Sequence, residues 1–129
     1  MSTLIGARIK RLEDLRLLTG KASFVDDVQR PNVLHLAVVR STRPHAYIRS
    51  IRGSFARNQK VQLWTGRDLA GKIGDLSVDV RPEGQRTNHF PVLPPEKVHY
   101  VGQPVAVVLA PSRYEAEDAL EKISVEYDD

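Results

Sequence analysis

The sequence predicts an α+β fold, a mixed and mostly antiparallel sheet of about four or five strands with one main helix, about residues 112–122, packed on one face. Three observations near the C-terminal end carry this. Pro104–Ala110 is a continuous apolar run rich in β-branched residues, of the length expected for a strand buried on both faces. Ser112 followed three places on by Glu115 has the pattern of a capping box, in which the hydroxyl accepts from the Glu115 amide and the carboxylate returns to the Ser112 N–H. Ala116, Ala119, Leu120 and Ile123 then fall on one helical stripe, with Glu117, Asp118, Glu121 and Lys122 opposite. After the helix, Val125 and Tyr127 alternate with Ser124 and Glu126, the period of a half-buried strand.

In chain order, residues 1–31 hold little apolar periodicity and read as an extended N-terminal arm. It has one helical turn within residues 9–15 and turns at Gly20 and Asp26-Asp27. Gly20 suits a positive φ, and the aspartate pair suits amide acceptance in an Asx-turn ahead of Pro31, so turn formation rather than metal binding accounts for the pair. Residues 33–39 form a second strand, expected to be central, with Leu34, Leu36 and Val38 on one face and Val33, His35, Ala37 and Val39 on the other. His35 reads as a core or interface histidine, because no second ligand stands beside it at metal spacing. Pro44 fixes a turn into a strand ending at Ile51. His45 lacks the serine, cysteine or carboxylate partners a catalytic histidine needs. Residues 53–57 read as a short helical turn and residues 61–64 as a brief strand, and Thr65 with Asp68 repeats the Ncap and N3 pattern.

Residues 71–97 break the pattern. They hold three glycines and four prolines with no clean period beyond a turn at Asp75-Leu76. Connections in compact domains are usually about 4–6 residues, and much longer ones are functional or disordered. The prolines restrict the chain without a helix or sheet to require them, which points to an ordered course laid over another surface. Gly102 then permits a sharp turn, Gln103 sits as a polar residue at the lip of the sheet, suited to a partner contact, and Pro104 takes the first position of the strand.

At 129 residues the chain has the size of one domain around one core. Composition is ordinary for a globular protein, 41% hydrophobic and 27% charged. Having no cysteine, it can supply no disulfide, iron–sulfur ligand, thiolate zinc site or thiol nucleophile. No apolar stretch approaches the roughly 18 residues of a membrane span, and the expected compartment is the cytoplasm. The net charge of +3 and the cluster Arg40, Arg43, Arg49, Arg52, Arg57 and Lys60 raise a nucleic-acid or protein-interaction module in the region 40–60 as the alternative function. Against nucleic acid, these residues are spread over strands and turns, without interleaved aromatics or a recognition helix. Phosphate-loop, dinucleotide, paired-histidine metal and nucleophile-elbow motifs are all absent.

Tyr100-Val101-Gly102-Gln103-Pro104-Val105-Ala106, followed by an alanine-rich acidic helix and Val125-Glu126-Tyr127, resembles the a/b hammerhead domain at the N-terminus of the large subunit of the molybdenum hydroxylases. These are the xanthine dehydrogenase, aldehyde oxidase and aerobic carbon monoxide dehydrogenase group. The arm is similar to the family pattern through Gly6, Arg11, Asp14, Gly20, Phe24, Asp26 and Asp27. Arg40-Ser41 with His45-Ala46 and Ile48, and Thr65-Gly66 with Asp68-Leu69, match two further family segments. Where the family usually has a Pro-Gly turn, this chain has Asn58-Gln59-Lys60.

The resemblance implies a single hammerhead domain over residues 1–129, non-catalytic by itself, that braces the molybdenum-cofactor domain and shapes its substrate channel. It implies that the segment around Gly74, Asp75, Leu76, Ser77 and Val78 lines a substrate funnel, and it allows Gly102 and Gln103 to meet a partner domain. For the complete enzyme it implies hydroxylation of an aldehyde, an N-heterocycle or carbon monoxide with water. Molybdopterin, as a cytosine dinucleotide, and 2Fe-2S clusters and FAD on companion subunits would supply the redox chemistry. The chain would then be an excised piece, a truncated gene product or one part of a split subunit.

Overall fold

Strand β5, Pro104–Ala110, is the middle of a three-stranded sheet, with β1, His35–Arg40, on one side and β3, Gln62–Thr65, on the other. The computed structural model describes residues 5–56, 60–76, 83–84 and 89–128. The chain divides into two units, Met1–Val33 and Leu34–Asp129. In the larger unit a second three-stranded sheet has β2, Ala46–Gly53, between β4, Lys97–Val98, and β6, Ile123–Asp128. The four strand pairings among the described residues are antiparallel. The expected single sheet of four or five strands is therefore two sheets. The expected central position of residues 33–39 belongs instead to β5, and β1 is an outer strand of its sheet.

The cause lies in how β5 is covered. Val108 and Ala110, together with Ala106, are fully buried, while Val107 and Leu109 on the other face are only half-buried. The first face lies under α3, Arg113–Leu120, where Ala37, Ala110 and Ala116 form a core cluster with Val61 and Leu120. The second face is covered at one end, where Val105 meets Ala46, Ile48 and Val98 of the second sheet, with Val39, Ile51, Val125 and Tyr127 around them. Burying each such valine is worth roughly 1.5–3 kcal/mol. Pro104 has no N–H to give the ladder, and the β1–β5 register shifts between Val39 and Arg40 so that Arg40 faces Pro104.

Helix α3 starts as its sequence requires, with Ser112 Oγ accepting from the Glu115 amide at 3.2 Å. The Glu115 carboxylate accepts the Ser112 hydroxyl at 2.8 Å, where a full capping box would have it take the Ser112 amide. Ala116 and Ala119 face the sheet. The expected helical turn over residues 53–57 does not form across 54–56. Ser54 instead donates its N–H to the Lys122 carbonyl at 3.1 Å, prolonging the β2–β6 pairing. Arg57, and Asn58 and Gln59 of the departure from the family turn, lie outside the described residues. His35 is exposed at the start of β1 rather than part of the core.

In the smaller unit the helix is α1, Asp14–Leu18, later than the predicted turn in residues 9–15. Gly20, at φ +67°, ends it: Gly20 N–H bonds to Leu17 O and Lys21 N–H to Arg16 O, the Schellman pattern that places glycine at this position. A 3-10 turn at Val25–Asp27 follows, with Asp27 Oδ2 accepting from the Phe24 amide at 2.9 Å. No helix among the described residues is long and apolar enough to cross a membrane.

Candidate functional site

The register of β3 on β5, with Thr65 opposite Ala106, brings the end of β3 to the end of the sheet where β5 begins. Thr65 caps α2, Gly66–Leu69, there. Asp68 Oδ2 accepts both the Thr65 amide at 2.8 Å and the Thr65 hydroxyl at 2.7 Å. These two bonds, with help from Lys72, hold the Asp68 carboxyl below the ordinary carboxylate range. A depressed folded-state pKa adds stability that is complete above the unfolded value and is lost as pH falls through the folded one. Asp68→Asn is therefore expected to flatten part of the loss of urea resistance on acidification below about pH 4, relative to the unaltered chain.

The returning half of the long connection lies against α2. A Cβ on Gly66 would stand 2.5 Å from Pro94 O and 2.6 Å from Leu93 O, so only glycine lets the two backbones touch. Arg67 fastens the contact, donating from Nε to Pro95 O at 3.3 Å and from Nη2 to Ile48 O at 3.2 Å. Ile48 N–H in turn reaches Glu96 O at 2.7 Å. Between α2, residues 70–75 and residues 91–95 lies a cleft of about 230 Å³, lined by Leu69, Ile73, Gly74, Asp75, Val92 and Leu93 among others.

The two ends of the connection are joined at the cleft's rim. Leu76 N–H donates to Phe90 O at 2.8 Å, and Asp75 Oδ2 lies 2.7 Å from His89 Nδ1. That inter-segment bond replaces the local turn expected at Asp75-Leu76. Ile73, Leu76, Phe90 and Val92 remain 41–59% exposed around it. Of the predicted funnel residues, Gly74 and Asp75 line the cleft and Leu76 ties its rim, while Ser77 and Val78 lie outside the described residues.

Gly102 and Gln103 stand apart from the cleft, in the turn that feeds β5 at the same end of the sheet. Gly102 has φ +86°, donates to Ser41 O at 2.7 Å, and gives its carbonyl to Arg40 Nη1 at 2.9 Å. Gln103 is only 8% exposed, and its Oε1 accepts the His99 amide at 2.7 Å. Sequence reasoning missed His89, Phe90 and Val92, and it missed why position 66 is glycine. The apolar alternation of Phe90 and Val92 was the available signal.

The arginines of the region 40–60 are largely engaged within the domain. Arg49 pairs with Asp128 at 3.1 Å, Arg52 with Glu126 at 3.9 Å, and Arg40 with the Gly102 carbonyl. The residues present supply no ligand set for the iron–sulfur clusters that the resemblance implies. The sequence has no cysteine, and among the described residues no group of three or more His, Asp or Glu side chains converges on a metal position.

Comparison with known proteins assigns the fold. Residues 19–129 match the family profile described as aldehyde oxidase and xanthine dehydrogenase, a/b hammerhead domain. The chain belongs to that family. The hammerhead is 38% identical over 125 residues to the nicotine 6-hydroxylase large subunit of Paenarthrobacter nicotinovorans, covering 95% of this chain and 15% of that protein. It is 36% identical over 123 residues to the carbon monoxide dehydrogenase large chain of Hydrogenophaga pseudoflava, 91% of this chain and 14% of that one. The crystal structure of quinoline 2-oxidoreductase from Pseudomonas putida 86 superposes with a TM-score of 0.84 at 38% identity, over 94% of this chain and 16% of that chain. The hammerhead thus corresponds to one domain of a molybdenum hydroxylase large subunit and spans about one-sixth of the length of such relatives.

Proposed function

We propose that this hammerhead domain is a non-catalytic brace for the molybdenum-cofactor domain of a molybdenum hydroxylase, and that the segment around Gly74, Asp75, Leu76, Ser77 and Val78 lines the approach to its substrate site. The observation that carries the reading is the rim of the cleft. Ile73, Leu76, Phe90 and Val92 are held in place by the Leu76–Phe90 bond and the Gly66 contact, yet stay open to solvent. Two stretches of the connection, residues 70–76 and 89–95, that are tied to their own domain while presenting apolar side chains have the character of a docking surface.

The complete enzyme would hydroxylate an aldehyde, an N-heterocycle or carbon monoxide with water, in the cytoplasm. Molybdopterin, as its cytosine dinucleotide, would sit in the adjoining domain, and the 2Fe-2S clusters and FAD on companion subunits. This domain's part is to bind and shape.

The test is to produce the 129-residue chain together with the molybdenum-cofactor domain of the same enzyme as a second polypeptide. The expected result is a 1:1 complex in which the amides of residues 73–76 and 90–92 exchange more slowly than in the free chain. An interface of about 800 Å² per partner would tolerate salt well. No complex, together with nucleic-acid binding that weakens steeply with salt, would replace this reading by the alternative.

A further inference from the structure

Gln103 carries a donor that no described residue of its own domain uses. The residue is more than nine-tenths buried, and the orientation of its carboxamide is fixed by chemistry, because the His99 backbone N–H can only donate and so must face Oε1. Nε2 therefore points the other way. Among the described residues it has no hydrogen-bond acceptor, and because no fully enclosed side-chain polar atom lacks a partner, Nε2 reaches the surface.

The surroundings hold it there. The Gln103 amide bonds to Tyr100 O at 3.3 Å, its carbonyl accepts from Ser41 N–H at 2.8 Å, and Gly102 is clamped between Ser41 and Arg40. Tyr100 and Val101, in the same turn, are 52% and 62% exposed. A rigid donor beside exposed apolar side chains suits a neutral acceptor, since covering that rim would otherwise leave an unmatched amide, a loss that disfavours any partner without one.

We propose that Gln103 Nε2 is a docking donor for a main-chain carbonyl oxygen of the molybdenum-cofactor domain, with Tyr100 and Val101 closing over the bond. This rests on the bracing role proposed above and places a second contact on the turn before β5, apart from the cleft. Gln103→Glu separates the two duties of the side chain: a carboxylate still accepts the His99 amide but faces the partner carbonyl with an oxygen.

In the two-polypeptide complex, Gln103→Glu is expected to weaken association at least tenfold and to speed amide exchange at Tyr100 and Val101, while the His99 amide stays protected. Association as tight as that of the unaltered chain would overturn the proposal and leave the bracing role standing. Loss of His99 protection together with docking would mark Gln103 as an internal brace only, and also overturns it. Failure of the unaltered chain to associate removes the bracing role and this inference together.

Discussion

Replacing Gly66 by valine is expected to lower the unfolding free energy by roughly 3 kcal/mol and to release residues 91–96 from α2. The side chain would have to enter space already held by the Pro94 and Leu93 carbonyls at 2.5 and 2.6 Å, which are backbone atoms and cannot swing aside. Either α2 or the returning segment must move. Both lead to the same Ile48–Glu96 bond, because Arg67 ties α2 to Pro95 and to Ile48. The check is a denaturant titration combined with hydrogen exchange. Stability should fall while the Ile48 and Leu76 amides lose protection, and unchanged exchange at Ile48 would mean that the Gly66 contact does not hold the cleft together.

Ala116→Asp should have the larger effect on the fold itself. Ala116 is 1% exposed and packs with Ala37 and Ala110, with Val61 and Leu120 against them. A carboxylate there would enter a cluster of alanine, valine and leucine side chains, and an unpaired buried charge costs about 3–5 kcal/mol. Domains of this size are stable by about 5–15 kcal/mol, so the folded fraction at physiological temperature should drop sharply. Circular dichroism and thermal unfolding would register it. The control is Glu117→Ala on the exposed side of the same helix. It removes only a solvent-facing pair with Arg113 and should leave the midpoint nearly unchanged.

Much of the fold was legible because single elements announce themselves by period. The valine run of β5, the Ser112 cap with its Ala116 and Ala119 stripe, and the alternation of β6 each need only their own residues to be read. Partnership does not follow from period. Nothing local in β2 says that it pairs with β6, as Ile51 does with Val125, and so one sheet was expected where two exist. The cleft was hidden for the same reason, since its walls come from residues 66–75 and 91–95 and meet only once β3 is in register on β5. Gly66 belonged to a visible motif, but its reason is a carbonyl far along the chain. Gln103 is legible as a polar residue at the sheet's lip, but the bond that fixes its direction comes from the His99 backbone, which side-chain patterns cannot report.

The strand pairings also impose a schedule on folding. β1, β2 and β3 pair with none of one another; their partners are β4, β5 and β6, which begin at Lys97, Pro104 and Ile123. During synthesis the first three strands must therefore leave the ribosome without a ladder to join. Both sheets close only when residues 97–128 have emerged, and pairings so distant in sequence make for slow closure. Until then the nascent chain is a client for whatever shields unpaired strands in the cell.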